Sequence, residues 1–446
     1  MIRRTVHTFP VTDKAAIKNK LLLWTRRFRA VCVLDNNDFR YPGRFEPAFE
    51  MAVAVEAVDS LSAFAGVAFE ALDQARLARP DWWFGGLGYD LKNEVEYLTS
   101  ANTDGLEFPD LRFFSPRFLW LLKGWKVELH MLEDETEDPS ELWRQVRTTD
   151  PRPEGQVVAP KAISWESRLD RETYLERFDR IQKHIRQGDI YEMNFCREYY
   201  AEDAEIDPWL AFQAIQKRTQ APFSAFWRWE EEYLLCASPE RYLRKEGQRV
   251  ISQPIKGTAA RSSDEPEDLR LKEALRNSRK ERGENVMIVD LVRNDLSRVA
   301  ARDSVHVDEL YGIYSFETVH QMISTVRADL AQGKTWSDLL RATFPMGSMT
   351  GAPKVRAMQI IEEMEESRRG WYSGGLGYID PQGQGDFNVV IRSLIYRADR
   401  RYLSLQVGGA LTILSDGAEE WNETELKARA LLEAVRQSNP SHETAE

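Results

Sequence analysis

Two stretches far apart in the chain repeat one another. Trp83-Phe84-Gly85-Gly86-Leu87-Gly88-Tyr89-Asp90 is echoed by Trp371-Tyr372-Ser373-Gly374-Gly375-Leu376-Gly377-Tyr378, with Asp380 soon after. Glycines interleaved with aromatics suit strands whose backbones come close to another backbone or to a ligand. Neither copy is a dinucleotide-binding fingerprint, because no G-x-G-x-x-G opens a helix. The echo points to two halves that contribute related sheets to one composite domain.

The chain has 446 residues, enough for a large core and, at about 150 residues per domain, for two or three domains. Its 13 Trp, 15 Tyr and 20 Phe argue against disorder. A net charge of −12 argues against a nucleic-acid partner, which needs clustered Lys and Arg, though a small pocket can still be locally basic. Cys32, Cys196 and Cys236 form no C-x-x-C pair, so neither a disulfide framework nor a zinc knuckle is indicated. The first residues lack the apolar core of a signal peptide, and no run approaches a membrane span. The expectation is a soluble cytoplasmic protein.

Periodicity places the elements. Residues 30–34 read as a strand, 112–114 and 118–122 as two strands of a meander, and 126–132 as a third. Residues 170–187 carry Tyr174, Phe178, Ile181 and Ile185 at helical spacing and stop at Gly188. Residues 210–218, 269–299 and 419–437 also read as helices, and residues 233–237, 242–244 and 250–253 as short strands. The polar end, residues 438–446, reads as a frayed tail.

Four groups of residues carry chemistry. Lys256 sits in Pro254-Ile255-Lys256-Gly257-Thr258, between a fixed proline and a permissive Gly-Thr step. A lysine there is either an ordinary turn residue or a held cation, and beside other cations its amine becomes a nucleophile. Glu281 and Glu284 lie three apart, as do Glu420 and Glu423, so each pair shares a helix face. Either pair alone is usually a solvated face; two facing pairs make an oxygen-only site that suits Mg²⁺. The loop of residues 344–354 offers the Ser348 and Thr350 hydroxyls at a helix N-terminus, where they are expected to contact a substrate's carboxylate or phosphate, but lacks the Gly-Lys-Ser/Thr ending of a nucleotide loop. Finally, Arg392 follows an apolar strand, where it either pairs internally with Asp386 or binds an anion.

Together these segments resemble the chorismate-utilising enzymes: anthranilate synthase large component, aminodeoxychorismate synthase component I, isochorismate synthase and salicylate synthase. The resemblance is carried by Gly188-Asp189-Ile190-Tyr191, Ser238-Pro239-Glu240-Arg241, residues 254–258, Glu284-Asn285-Val286-Met287-Ile288-Val289-Asp290-Leu291 and Arg293-Asn294-Asp295-Leu296. Residues 347–354, 369–378 and 386–392 complete it. It covers most of residues 166–435, and the N-terminal half matches more loosely. It implies an α+β fold of two packed antiparallel sheets flanked by helices. The implied layout is an N-terminal α+β region (1–135), a connecting segment (136–163) and a chorismate-binding catalytic region (164–437).

Within that family Lys256 resembles the aminodeoxychorismate synthase branch, where anthranilate synthases usually have alanine. Glu192 stands where the water-activating branches place a lysine base. The resemblance implies that Glu284 and Glu423 bind Mg²⁺ directly, with Glu281 and Glu420 behind them. It makes Arg392, Tyr372 and Lys427 binders of the substrate's anionic groups, together with Gly257, Thr258, Gly408 and Gly409. It makes Glu240 the general acid for the C4 hydroxyl and Lys256 the nucleophile at C2, its amine kept neutral by the nearby metal and Arg392. Ammonia would come from solution or from a separate glutamine amidotransferase subunit, since no Cys-His-Glu glutaminase constellation is present. Many relatives carry a histidine where this chain has Gln321; His320 lies one residue earlier, and is expected to be a packing residue. The tryptophan-feedback motif of anthranilate synthases is replaced by Val33-Leu34-Asp35-Asn36, so feedback by tryptophan is not expected. The rival readings are anthranilate synthase large component and a non-catalytic chorismate-binding homologue.

Overall fold

The computed structural model describes residues 2–39, 47–150, 163–317 and 319–438. The tail expected over 438–446 lies outside these residues except for its first, and so do residues 151–162 of the expected connecting segment. The part of that segment that is described carries the helix Pro139–Thr148, whose Leu142 and Val146 are buried.

Every ladder between strands is antiparallel, and the sheet forks at one long strand, Leu111–Lys123. Along its whole length it pairs with Met51–Ala63, while its other edge is divided between Trp83–Leu87 and Lys126–Leu132. From Met51–Ala63 one arm runs through Ala30–Asp35, Phe223–Trp229, Glu232–Ser238, Ser393–Arg397 and Tyr402–Thr412 to Glu192–Ala201. From Trp83–Leu87 the other arm runs through Gly375–Ile379, Gly385–Val389, Arg241–Glu246 and Arg249–Gln253 to Val319–Asp329. The strands Ile255–Ala260 and His306–Ser315 complete it. The chain thus has the expected α+β architecture of packed antiparallel sheets, with the added finding that the two sheets share a strand.

Alternation along the strands explains how the arms pack. In Ala30–Asp35, Ala30 and Cys32 point into the core between the arms, while Val31 and Val33 point outward into a second core. The inner core joins Trp227 of the first arm to Leu376, Phe387 and Val250 of the second. The outer core is closed by the helices Lys14–Trp24, Pro208–Thr219 and Gly417–Ser438.

The sequence echo is the seam between the halves. Its two copies pair directly, Gly85 against Gly377 and Gly86 against Leu376. A side chain at Gly86 would stand 2.4 Å from the Trp371 ring, and one at Gly85 would strike Phe113. Glycine is required because aromatic rings occupy the space that a Cβ would fill.

Two expectations are corrected. Residues 112–114 and 118–122 belong to one strand, which Pro116 does not break because the partner strand is irregular opposite it, between Ala57 and Asp59. The expected helix 269–299 is two, Glu265–Asn277 and Arg279–Ser297, separated at Ser278. Ser278 adopts an extended backbone (φ −64°, ψ 119°), and its hydroxyl accepts from the Glu281 N–H.

Candidate active site

Lys256 owes its position to an irregularity in a strand. Ile255–Ala260 pairs with Val319–Asp329, but the register jumps between Ile255 and Thr258, so Lys256 and Gly257 leave the ladder. Gly257 has φ 91°, and a Cβ there would lie 3.0 Å from Glu281 Oε2. Glycine thereby lets the strand pass close under the helix that carries Glu281 and Glu284. The Lys256 side chain is almost wholly buried, and its ammonium forms an ion pair with Glu192 Oε1 at 2.8 Å.

The electrostatics of Lys256 differ from expectation. Burial alone would lower its pKa, but the carboxylates of Glu192, Glu284 and Glu240 outweigh that and hold it above the ordinary lysine value. Arg392 is not among the leading influences on it. Paired with Glu192 at 2.8 Å, the lysine is held as an ammonium by the protein's own groups, and the amine must be made by proton transfer.

Glu240 faces the same point from the turn after strand Glu232–Ser238. Burial pushes its carboxyl up to about 7, although the Ser348 hydroxyl, donating at 2.6 Å, and Lys256 both favour the charged form. At neutral pH it holds a proton that it can give away. Ser348 thus serves to orient this acid. Thr350 departs from its expected role as a substrate contact. Its hydroxyl is buried and donates to the carbonyls of Met346 and Gly347, so it braces its own turn.

The four expected metal carboxylates stand on the helices Arg279–Ser297 and Gly417–Ser438, close enough for Glu423 to act on both Glu281 and Glu420. Burial pushes Glu284 to about 7, with Glu281 and Glu192 adding like charge. Burial and then the neighbouring charge of Glu423 raise Glu420; Glu281 is raised by burial and, despite Lys280, by Glu423. Lys280, on the helix of Glu281, approaches Glu420 on the facing helix at 3.6 Å. Among the described residues no three such groups converge into a ready-made metal cage. A hard dication needs only one or two carboxylates and keeps several waters. Glu284 Oε1 is buried without a hydrogen-bond partner, as a waiting ligand oxygen would be. The donor set fits Mg²⁺.

The anion-binding groups gather around these carboxylates. Lys427 Nζ lies 2.7 Å from Glu423 Oε1 and donates to the Gly408 carbonyl at 2.7 Å. A Cβ at Gly409 would lie 3.0 Å from Glu420 Oε2, so this glycine lets the strand lie against the carboxylate helix, while one at Gly408 would strike Cys196 of the neighbouring strand. Arg392 has φ 51°, and among the described residues its guanidinium has no hydrogen bond or ion pair. Asp386, its expected internal partner, is taken by Arg241 at 2.9 Å. Arg392 is left facing Tyr372 and Glu423, and burial lowers its pKa. Thr258 lies exposed beyond the bulge.

His320 turns away from this constellation. It contacts Ser315 Oγ at 2.9 Å and Asp268 at 3.0 Å and is buried, a packing and bracing role. Gln321, in the position expected for a histidine, is also buried, and its Oε1 has no partner. Glu192 was visible in Tyr191-Glu192-Met193-Asn194, but only as the residue in place of a lysine base. Its pairing with Lys256 spans distant strands and leaves no mark in local spacing. Arg197 was missed altogether. Its guanidinium stacks 3.7 Å from the Trp421 ring and donates to Thr424 Oγ1 at 3.0 Å, which anchors the helix of Glu420 and Glu423 to strand Glu192–Ala201.

Comparison with known proteins bears on this geometry. Residues 36–433 match the family described as chorismate binding enzyme. Aminodeoxychorismate synthase of Streptomyces griseus is 39% identical over 81% of this chain; the match spans 51% of that protein, so the chain corresponds to about half of it. Aminodeoxychorismate synthase component 1 of Klebsiella aerogenes is 36% identical over 78% of this chain and 76% of its own length. Anthranilate synthase component 1 of Thermus thermophilus is 36% identical over 79% and 78%. In fold, the chain resembles anthranilate synthase component I from Streptococcus pneumoniae, with TM-score 0.73 and 23% identity over 89% of this chain and 95% of that one.

Proposed function

Since the chain belongs to the family of chorismate binding enzymes, we propose that it aminates chorismate at C4 with ammonia to give 4-amino-4-deoxychorismate, the precursor of para-aminobenzoate. The observation that carries this reading is Lys256, buried between a carboxylate at 2.8 Å and an acid held near neutrality. The identity to aminodeoxychorismate synthases supports it.

Arg392 and Lys427 bind the substrate's carboxylates, with Tyr372 and the backbones of Gly257, Thr258, Gly408 and Gly409 shaping the pocket. Mg²⁺, when bound by Glu284 and Glu423 with Glu281 and Glu420 behind, supplies fixed positive charge for the ring carboxylate. Lys256, once neutral, attacks C2. Both ring double bonds shift, the C4–O bond breaks, and Glu240 gives its proton to the departing hydroxyl. Ammonia then adds at C4 and expels the lysine amine. A relative described as component 1 supports a partner component, which we take to be a glutamine amidotransferase subunit. No helix of the described residues is long and apolar enough to cross a membrane, and the three cysteines are free and buried, which agrees with a cytoplasmic setting.

The similarity to a Thermus thermophilus anthranilate synthase favours a second reading, amination at C2 without covalent catalysis. Product identification separates the two. The protein is mixed with chorismate, Mg²⁺ and ammonium, and the product is offered to aminodeoxychorismate lyase. Formation of para-aminobenzoate is expected; anthranilate would establish the second reading, and no turnover would overturn both.

A further inference from the structure

Lys256 is ion-paired with Glu192 at 2.8 Å, and an ammonium nitrogen has no lone pair for attack, so a base must take its proton within the site. We propose that Glu192 is that base: it removes the proton from Lys256 before attack on C2 and returns it when the lysine is expelled. This inference rests on the amination reading above.

The geometry singles out Glu192 among the carboxylates that face Lys256. Glu192 Oε1 is 2.8 Å from the ammonium, within direct transfer distance, and its side chain is 2% exposed. The other charged groups acting on Lys256 or acted on by it are Glu240, Glu281, Glu284 and Glu423. Glu240 is committed as the acid, and the other three to the metal. Glu192 Oε2 is buried with no hydrogen-bond partner among the described residues, so this oxygen is free to accept a proton. The buried glutamates farther along the same strand, or packed against it, are locked by several donors. Glu198 accepts from Ser367, Tyr402 and Ser404, and Glu365 from Arg369 and the Cys196 N–H. A proton moved onto either would break those bonds; one moved onto Glu192 breaks none but its own ion pair.

The backbone holds Glu192 in place. It opens strand Glu192–Ala201, paired with Ala352 on one side and Thr412 on the other. A Cβ at Gly351 would lie 2.1 Å from the Glu192 carbonyl, so a glycine is needed for this close approach.

The proton count closes over a turnover. Transfer from Lys256 to Glu192 gives a neutral amine and a neutral acid. The amine bonds to C2 and becomes a secondary ammonium, while Glu240 loses its proton to the C4 hydroxyl, which leaves as water. Ammonia bonds to C4 as an ammonium, and the C2–N bond breaks with its electron pair returning to the lysine. Glu192 then reprotonates Lys256, and the new C4 ammonium reprotonates Glu240.

The test uses two variants of the full chain, with chorismate, Mg²⁺ and ammonium. Glu192→Gln keeps the shape and removes the base; kcat is expected to fall roughly 100-fold with the KM for chorismate little changed. Glu192→Gly opens space for an added carboxylate, and formate is expected to restore part of its kcat in a saturable way. An unimpaired Glu192→Gln would overturn the proposal, as would equal losses in kcat and affinity for chorismate with no rescue by formate. Wild-type protein run alongside keeps the two readings apart. If it makes no aminodeoxychorismate, the functional reading fails; if it does while Glu192→Gln matches it, only the role of Glu192 fails.

Discussion

Glu240 limits the pH range in which the site can work. As the proposed general acid it must carry a proton, and burial pushes its carboxyl up to about 7. Rates expressed per free ammonia should therefore be full below that value and fall as pH rises through it. Glu240→Gln should lower kcat by roughly 10²–10⁴-fold and remove that limb from the profile. A limb that persisted in the variant would assign it to another group. Arg392 gives a prediction of a different kind, because it has no partner to lose. Arg392→Ala should weaken chorismate binding by about 1.5–3 kcal/mol, the worth of a hydrogen bond to a charged group, without unfolding the chain. Lys256, Glu240 and Arg392 were each legible in the sequence because each lies in a short, distinctive string. Their charge states were not. The sequence suggested a lysine with a lowered pKa, whereas three carboxylates from separate elements raise it.

Two irregular elements aim the chemistry. The break at Ser278 starts a new helix three residues before Glu281, and the bulge after Ile255 turns Lys256 out of its ladder. Ser278→Ala should cost about 0.5–2 kcal/mol through loss of the cap, read as a lower midpoint of thermal unfolding. Gly257→Ala should reduce activity more than stability, since a methyl there crowds Glu281 and the backbone conformation disfavours any side chain. The unbroken helical periodicity of residues 269–299 hid the first irregularity, because hydrophobic spacing runs through a cap without changing. Pro254 and Gly257 marked the second as a turn, but not as a bulge, which depends on the register of a partner strand distant in sequence.

The whole molecule is built so that two sheet arms, joined at Leu111–Lys123, support one site. The glycine-aromatic echo had made this organisation legible, and the seam at Gly86 tests it. Gly86→Val should destabilise by about 1–3 kcal/mol or more, because the Trp371 ring occupies the space the side chain needs. The sharing of a strand between the sheets was not legible, since pairing partners along a strand buried on both faces leave no trace in its own pattern. Metal binding should also couple to the whole molecule's protonation. A ligand carboxylate must lose its proton, and Glu284 is pushed to about 7. Apparent Mg²⁺ affinity should therefore rise about tenfold per pH unit below that value and level off above it, with Glu284→Gln abolishing the trend.

The central claim is that Lys256 makes this a covalent catalyst of C4 amination. The direct measurement compares Lys256→Ala with the native chain, using chorismate, Mg²⁺ and ammonium and identifying the product through aminodeoxychorismate lyase. The account predicts that para-aminobenzoate formation falls by roughly a hundredfold or more, about 2.7 kcal/mol in the barrier, while chorismate still binds. A variant that kept the full rate, the same product and the same dependence on ammonia would contradict it.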